Sequence, residues 1–185
     1  MPMSVTDVIE RLRAQGNVAK AGFHLEYDRP KPLRAEAIAA LELPGGGAVP
    51  DDLAEWLRYS GSWIPVLNKD KRTWRAKPLR KLLAEWLEDM RESDDEDVEE
   101  ELEEIVEIVG DDVLGYWLSI LPDKKLADVH AIEIPSAGDQ ENVLMLEPSR
   151  KTLRVLGCHK RIEFWWKYPT FAGYLAHHFG FEDPS

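Results

Sequence analysis

The spacing of apolar residues changes at Val129, and this change limits the folds that the chain can adopt. Before it, apolar residues recur every three or four positions, as in helices; after it, they fall in short extended runs. Connections as short as those between the runs join antiparallel strands, because a parallel pair needs a long crossover. The sequence therefore predicts an antiparallel β-meander with strands at 129–135, 142–147, 152–157 and 161–167.

Predicted helices flank this meander in the sequence. One begins after Ser4, a second covers 33–43, and a closing helix covers 169–179. The alternation of apolar residues between 20 and 32 resembles a short strand. Helices, then a meander, then a helix are typical of an α+β fold, which we expect to form a single domain over 1–185.

A further short helix is predicted between Pro50 and Gly61. Pro50 suits the first helical position, and the two acids after it favour the positive end of the helix dipole. Trp56 lies on the apolar stripe of this helix, so we expect it in the core. Gly61 is expected to end the helix in the left-handed conformation. The next segment, 63–67, is predicted as an edge strand because it contains a proline.

The net charge of −12 is concentrated in one segment. Residues 88–107 hold thirteen acids and one base, whereas the rest of the chain holds 22 acids and 22 bases. The preceding segment, 69–81, holds seven bases and one acid. Both lie in a predicted charged helical insertion at about 69–120, whose helices also carry apolar stripes.

The acidic segment has two interpretations. A run of like charge is often only a solvated surface. Alternatively, it attracts and orients a basic protein partner. The acids that the core needs least are the candidate partner-binding residues: Glu92, Asp94, Asp95, Glu96, Asp97, Glu99, Glu100 and Glu103.

Two adjacent tryptophans, Trp165 and Trp166, lie on the last predicted strand. Side chains alternate across a strand, so one ring should face the core and the other should be exposed or covered by an added helix. Trp166, close to Lys167 and Tyr168, is a further candidate partner-binding residue, because Trp and Tyr dominate interface hot spots. Packing in the core under the inserted helices is the alternative, and burial statistics favour it.

The sequence contains none of the common catalytic motifs, so we expect no enzyme, no catalytic residue and no cofactor. Cys158 and His159 are neighbours on a predicted turn and should point apart. His177 and His178 diverge by about 100° around a helix, so they cannot easily share a metal ion. We therefore predict no metal site.

Composition also restricts the partners and the compartment. The negative charge disfavours direct binding of nucleic acid, even though the basic segment contains Trp74. Apolar runs fall short of the roughly 18–20 residues of a membrane span, so we expect no membrane insertion. The single cysteine, Cys158, and an N terminus unlike a signal peptide predict a cytoplasmic protein.

Several segments resemble the SUKH superfamily of bacterial toxin-immunity proteins and eukaryotic cell-wall regulators. The stretch 48–61 is similar to its N-terminal signature, with Val49-Pro50 where the family usually has Leu-Pro and Ser60-Gly61 where it usually has Asn-Gly. Ile132-Glu133-Ile134-Pro135 resembles a family strand that ends in Ile-Pro. The resemblance runs from about 36 to 180, interrupted at 69–120, and continues in Val143–Glu147, Leu153, Val155, His159 and Phe171–Leu175.

The resemblance implies a non-enzymatic immunity protein that binds and neutralises a cognate toxin in the cytoplasm, as in polymorphic toxin systems. An acidic surface suits a basic toxin of the nuclease type. Two departures leave the partner open: the insertion is large, and only Gly138 remains of the Gly-rich turn after Ile-Pro. The alternative is a regulatory or scaffold interaction domain, like the eukaryotic relatives. The oligomeric state is left open.

Overall fold

A five-stranded antiparallel sheet lies at the centre of the fold, with its strands in chain order. The computed structural model describes residues 2–18, 27–136, 140–159 and 163–181. The strands are β1 (Lys77–Pro78), β2 (His130–Ile134), β3 (Gln140–Met145), β4 (Arg154–His159) and β5 (Glu163–Tyr168). The predicted meander is therefore confirmed as β2 to β5, and the two-residue strand β1 precedes it.

Seven α-helices of the described residues precede, interrupt and follow the strands along the chain, as expected for an α+β fold. They are α1 (Val5–Ala14), α2 (Ala35–Ala39), α3 (Asp51–Tyr59), α4 (Leu79–Glu92), α5 (Glu96–Val109), α6 (Val113–Ser119) and α7 (Phe171–His178). A 3-10 helix, Lys124–Asp128, leads into β2. Helix α1 begins with the reciprocal hydrogen bonds of Ser4 and Asp7 that form a capping box.

Each face of the sheet carries its own apolar core. On β2, Ile132 and Ile134 join the core formed with α1, α3 and α7, whereas Ala131 faces the other side. The same alternation separates Leu144 from Val143 on β3. The sheet is thus buried on both faces, between N- and C-terminal helices on one side and α4 to α6 on the other.

The segment 69–120 supplies the second of these helical layers. Six apolar residues spaced along one face of α4 are buried there: Leu79, Leu82, Leu83, Trp86, Leu87 and Met90. Trp117 of α6 is fully buried against them. The segment also provides β1, whose Lys77 pairs with Ala131. The segment 69–120 is therefore packed against the sheet and extends it.

Trp56 is fully buried, as expected, at the centre of an aromatic cluster in the first core. Its ring centre lies 5.5 Å from that of Tyr59 and 5.6 Å from that of Phe179. Trp63 packs 6.4 Å from Trp56 and donates through Nε1 to the carbonyl oxygen of Asp28 at 2.6 Å. These contacts fix α3 against α7 and the segment that follows α3.

The prediction that Gly61 ends α3 in the left-handed conformation is wrong. The helix ends at Ser60 in an extended conformation (φ −152°), and Gly61 does not adopt the left-handed one. Glycine is needed here for another reason, since a Cβ at Gly61 would lie 1.7 Å from Cδ1 of Leu33. Any side chain at this position would therefore force Leu33 to shift.

Two other segments differ from their predicted structures. Helix α2 stops after Ala39, because Glu42 bridges Ala48 around a turn of three glycines with positive φ. The expected edge strand at 63–67 is a buried irregular segment in which Ile64 has φ 51°, a value outside the extended region. Residues 20–32, whose apolar pattern resembles a short strand, lie partly outside the described residues, which resume at residue 27.

Candidate functional site: an acidic groove

Helix α5 carries eight carboxylates and no basic residue. Asp95 caps the N terminus of α5, because its side chain accepts a hydrogen bond from the backbone N–H of Asp97 at 3.0 Å. Acids in the first turn also interact favourably with the helix dipole. The local sequence thus favours the start of the helix and gives it a strongly negative surface.

Ile105 anchors α5 to the second core. It is only 2% exposed, and Val98, Leu102, Val106 and Val109 pack beside it in partly buried positions. This narrow apolar stripe lies against the neighbouring helices, and the acids occupy the rest of the helix surface. One side of that acidic surface faces the sheet across an open space.

The open space is a groove of about 780 Å³ between α5 and the ends of β2 and β3. Four acids of α5 line one wall, and they recur at helical spacing: Asp97, Glu100, Glu101 and Glu104. Glu133 and Glu141 extend from the strands on the other side. Apolar side chains complete the lining: Pro65, Ile105, Ile108, Ile134 and Pro135.

The electrostatic character of the groove is strongly negative. Six carboxylates line it, against the single guanidinium of Arg75. In the part of the chain that the structure describes, none of the α5 carboxylates takes part in an ion pair. These unpaired carboxylates create a negative field across the groove.

Two bases of the basic segment form ion pairs with acids elsewhere in the chain. Lys77 forms an ion pair with Glu85, and Arg80 lies 3.4 Å from Asp128. Neither acid belongs to the acidic segment 88–107. The charge of that segment is consequently available for a partner.

Glu133 is held in the wall of the groove from below. The indole Nε1 of Trp86 donates a hydrogen bond to its Oε2 at 3.0 Å. Trp86 itself is buried in the second core, with 6% of its surface exposed. One wall carboxylate is therefore oriented by a core side chain of α4.

Ile108 gives the groove an exposed apolar contact. Its side chain is 65% exposed, an unusual degree for a large apolar residue. It follows Glu104 by four positions on the same side of α5, so it extends the acidic wall toward the end of the helix. Carboxylates and apolar surface thus lie side by side.

The eight acids predicted from sequence are all exposed, and two of them line the groove. Those two are Asp97 and Glu100. Glu92 ends α4, Asp94 and Asp95 lie in the connection to α5, and Glu96, Glu99 and Glu103 lie on the exposed surface of α5 outside the groove lining. The sequence reasoning left out four groove acids: Glu101, Glu104, Glu133 and Glu141.

Trp166 lies on β5, two strands from β3, and is not part of the groove lining. It is half-buried and packs on the second core, and the guanidinium carbon of Arg154 sits 3.5 Å from its ring centre. Arg154 in turn donates to both carboxylate oxygens of Glu147, at 2.9 and 2.6 Å. One face of the Trp166 ring is therefore occupied within the chain.

The neighbours Cys158 and His159 do not point toward each other, and His178 is buried away from any shared site with them. Strand β4 continues to His159, so Cys158 and His159 are strand neighbours that face opposite sides. His178 is 2% exposed, and its Nε2 lies 2.6 Å from the Tyr27 hydroxyl oxygen. Burial, with a smaller effect of His177, lowers the pKa of His178 to about 4.

Among the described residues, no group of three or more His, Cys, Asp or Glu is arranged to hold a metal ion. None of the helices there is both long enough and apolar enough to cross a bilayer. Comparisons with protein-family models, curated proteins and solved structures found no match.

Proposed function

We propose that this chain is a non-enzymatic immunity protein that binds and neutralises a basic toxin of the nuclease type in the cytoplasm. The observation that carries the proposal is the groove, in which six carboxylates surround apolar side chains and meet one guanidinium. The resemblance of the chain to the SUKH superfamily, through Val49-Pro50 and Ile134-Pro135, is the reason for proposing toxin immunity.

Both the aliphatic stem and the charged end of a lysine or arginine side chain suit the lining of this groove. Their aliphatic stems can pack on exposed apolar surface such as Ile108, while their charged ends remain near carboxylates. An arginine can also bind a carboxylate with two parallel hydrogen bonds, which adds specificity. A basic protein segment is therefore the ligand whose chemistry fits the lining best.

The unpaired charge of α5 also favours fast association. A negative field over one face attracts a basic partner and orients it before contact. Toxins that act on nucleic acid need basic surfaces of their own, so an acidic groove that covers such a surface would block the active site. Inhibition of this kind requires no catalytic group in the inhibitor.

The direct experiment uses the gene beside the one that encodes this chain. We expect it to encode a toxin, and co-expression of this chain should allow cells that produce the toxin to grow. A variant with Asp97→Asn, Glu100→Gln, Glu101→Gln and Glu104→Gln should lose protection. A control with the same change in charge on the exposed surface of α5, at Glu96, Glu99, Glu103 and Glu107, should retain it.

Growth arrest despite co-expression of the unmodified chain would contradict the immunity function. If binding occurs without any effect on growth, the regulatory or scaffold role becomes the better account. Equal protection by the two variants would show that the toxin binds elsewhere.

A further inference from the structure

Strand β5 forms an end of the sheet that no other described strand covers. It pairs with β4 from His159–Glu163 to Val155–Tyr168, and no strand among the described residues pairs with its outer side. The opposite end differs, since β1 has only two residues and one of them is Pro78. Short strands and prolines protect sheet edges from pairing with other chains.

The hydrogen-bond register shows which backbone groups of β5 face outward. The carbonyl oxygen of His130 accepts from the N–H of Leu146 at 2.9 Å, so this pair is hydrogen-bonded. Hydrogen-bonded and non-hydrogen-bonded pairs alternate along antiparallel neighbours. Continued through the registers of β3, β4 and β5, this alternation directs Trp165 toward β4 and leaves Phe164 and Trp166 with outward backbone groups.

The side chains of β5 suit contact with another strand. Phe164, Trp165 and Trp166 are consecutive and all half-buried. Charged residues occur only near the two ends, at Glu163 and Lys167. The middle of the strand thus has neither the charges nor the proline that usually prevent pairing at an exposed edge.

We infer that β5 pairs antiparallel with β5 of a second copy of this chain, about a two-fold axis at Trp165. In this register Phe164 of each copy lies opposite Trp166 of the other, so all the outward backbone groups of these residues form hydrogen bonds. Trp165 then faces its own counterpart in a non-hydrogen-bonded pair, where side chains approach most closely.

Charge is compatible with the same register, although Lys167 is the extra residue of a β-bulge and its Nζ donates a hydrogen bond to Oδ1 of Asn142 on β3 at 3.3 Å. Glu163 of one copy falls opposite Lys167 of the other on both sides of the axis. Lys167 shares a face of the sheet with Trp165, because atoms of both lie 3.0 Å from the position of a Cβ on Gly157. Glu163, two residues before Trp165 on the strand, falls on the same face by alternation. Opposite charges across a strand pair are favourable, and like charges are not.

Such a dimer closes at two copies, because each surface pairs with its own equivalent. It joins the two sheets into one of ten strands, twice the five of a single chain. The acidic groove lies at the ends of β2 and β3 and is not part of this edge. The dimer would therefore present two grooves, and its existence does not depend on the proposed function.

Sedimentation over a range of protein concentrations provides the first test. The unmodified chain should form a species of twice the 21.2 kDa mass of one chain. Trp165→Lys and Trp165→Glu should each be monomeric, because two like charges meet at the axis. An equimolar mixture of these two variants should dimerise again, which also demonstrates that both are folded.

Disulfide cross-linking gives a second, independent readout. Trp165→Cys places two thiols opposite each other at the axis, so mild oxidation should produce a covalent dimer. Glu163→Cys is the matched control on the same face, and it should cross-link at least tenfold more slowly because its counterpart is Lys167. An unmodified chain that stays at 21.2 kDa at every concentration would overturn the inference. So would a mixture that stays monomeric or equal cross-linking of the two cysteine variants.

Discussion

The Nε1 atom of Trp86 lies 3.0 Å from Oε2 of Glu133, so a residue of the second core orients a carboxylate in the wall of the groove. This contact links the packing of α4 to the proposed binding surface. It also connects the segment 69–120 to β2, the strand that borders the groove.

Trp86→Phe removes this hydrogen bond together with part of a buried ring, and it should lower the free energy of unfolding by about 1–3 kcal/mol. Glu133→Gln keeps an oxygen acceptor and should cost less than about 1 kcal/mol. Urea denaturation of both variants measures these values. If Trp86→Phe is as stable as the unmodified chain, the hydrogen bond does not hold Glu133 in place.

His178 should make the stability of the fold depend on pH. Burial lowers its pKa to about 4 in the folded chain, against 6.5 for the free side chain. The unfolded chain therefore binds a proton more readily between these two values. The stability that His178 contributes is complete above pH 6.5 and is lost as the pH falls toward 4, in total about 3 kcal/mol.

The measurement compares urea denaturation of the unmodified chain and of His178→Gln between pH 7 and pH 4. The unmodified chain should lose about 3 kcal/mol more than the variant over this range. His177→Gln, which changes the half-buried neighbour, should follow the unmodified chain. Parallel curves for all three proteins would mean that folding does not lower the pKa of His178.

Strong periodicity accounts for the parts of the fold that the sequence predicts well. The four strands of the meander and the six buried positions of α4 repeat their patterns over enough residues to be recognised. Strand β1 has two residues, too few for any period, and it exists because Lys77 pairs with Ala131. Likewise, only the position of Leu33 reveals why residue 61 is glycine.

The groove could be predicted only in part for the same reason. Asp97 and Glu100 belong to the acidic segment and were among the candidate residues. Glu133 and Glu141 join them through the pairing of β2 with β3, which no local pattern specifies. One local signal did exist: Glu133 is the exposed charged residue within the otherwise apolar run from Ala131 to Ile134.

The central claim is that the groove itself binds the basic partner, and the most direct measurement separates the groove from the total charge of α5. Two variants each lose four carboxylates from the same helix. One changes the groove positions Asp97, Glu100, Glu101 and Glu104, and the other changes Glu96, Glu99, Glu103 and Glu107 on the exposed surface. Surface changes of this kind should alter stability by only about 0.5 kcal/mol each.

Association and dissociation rates with the toxin from the neighbouring gene are then measured on a biosensor at low and high salt. Both variants should associate several-fold more slowly than the unmodified chain at low salt, and added salt should remove most of that difference. Only the groove variant should dissociate faster, by at least tenfold, because it alone loses direct contacts. Equal dissociation rates for the two variants would contradict the claim and reduce the acidic helix to a steering surface.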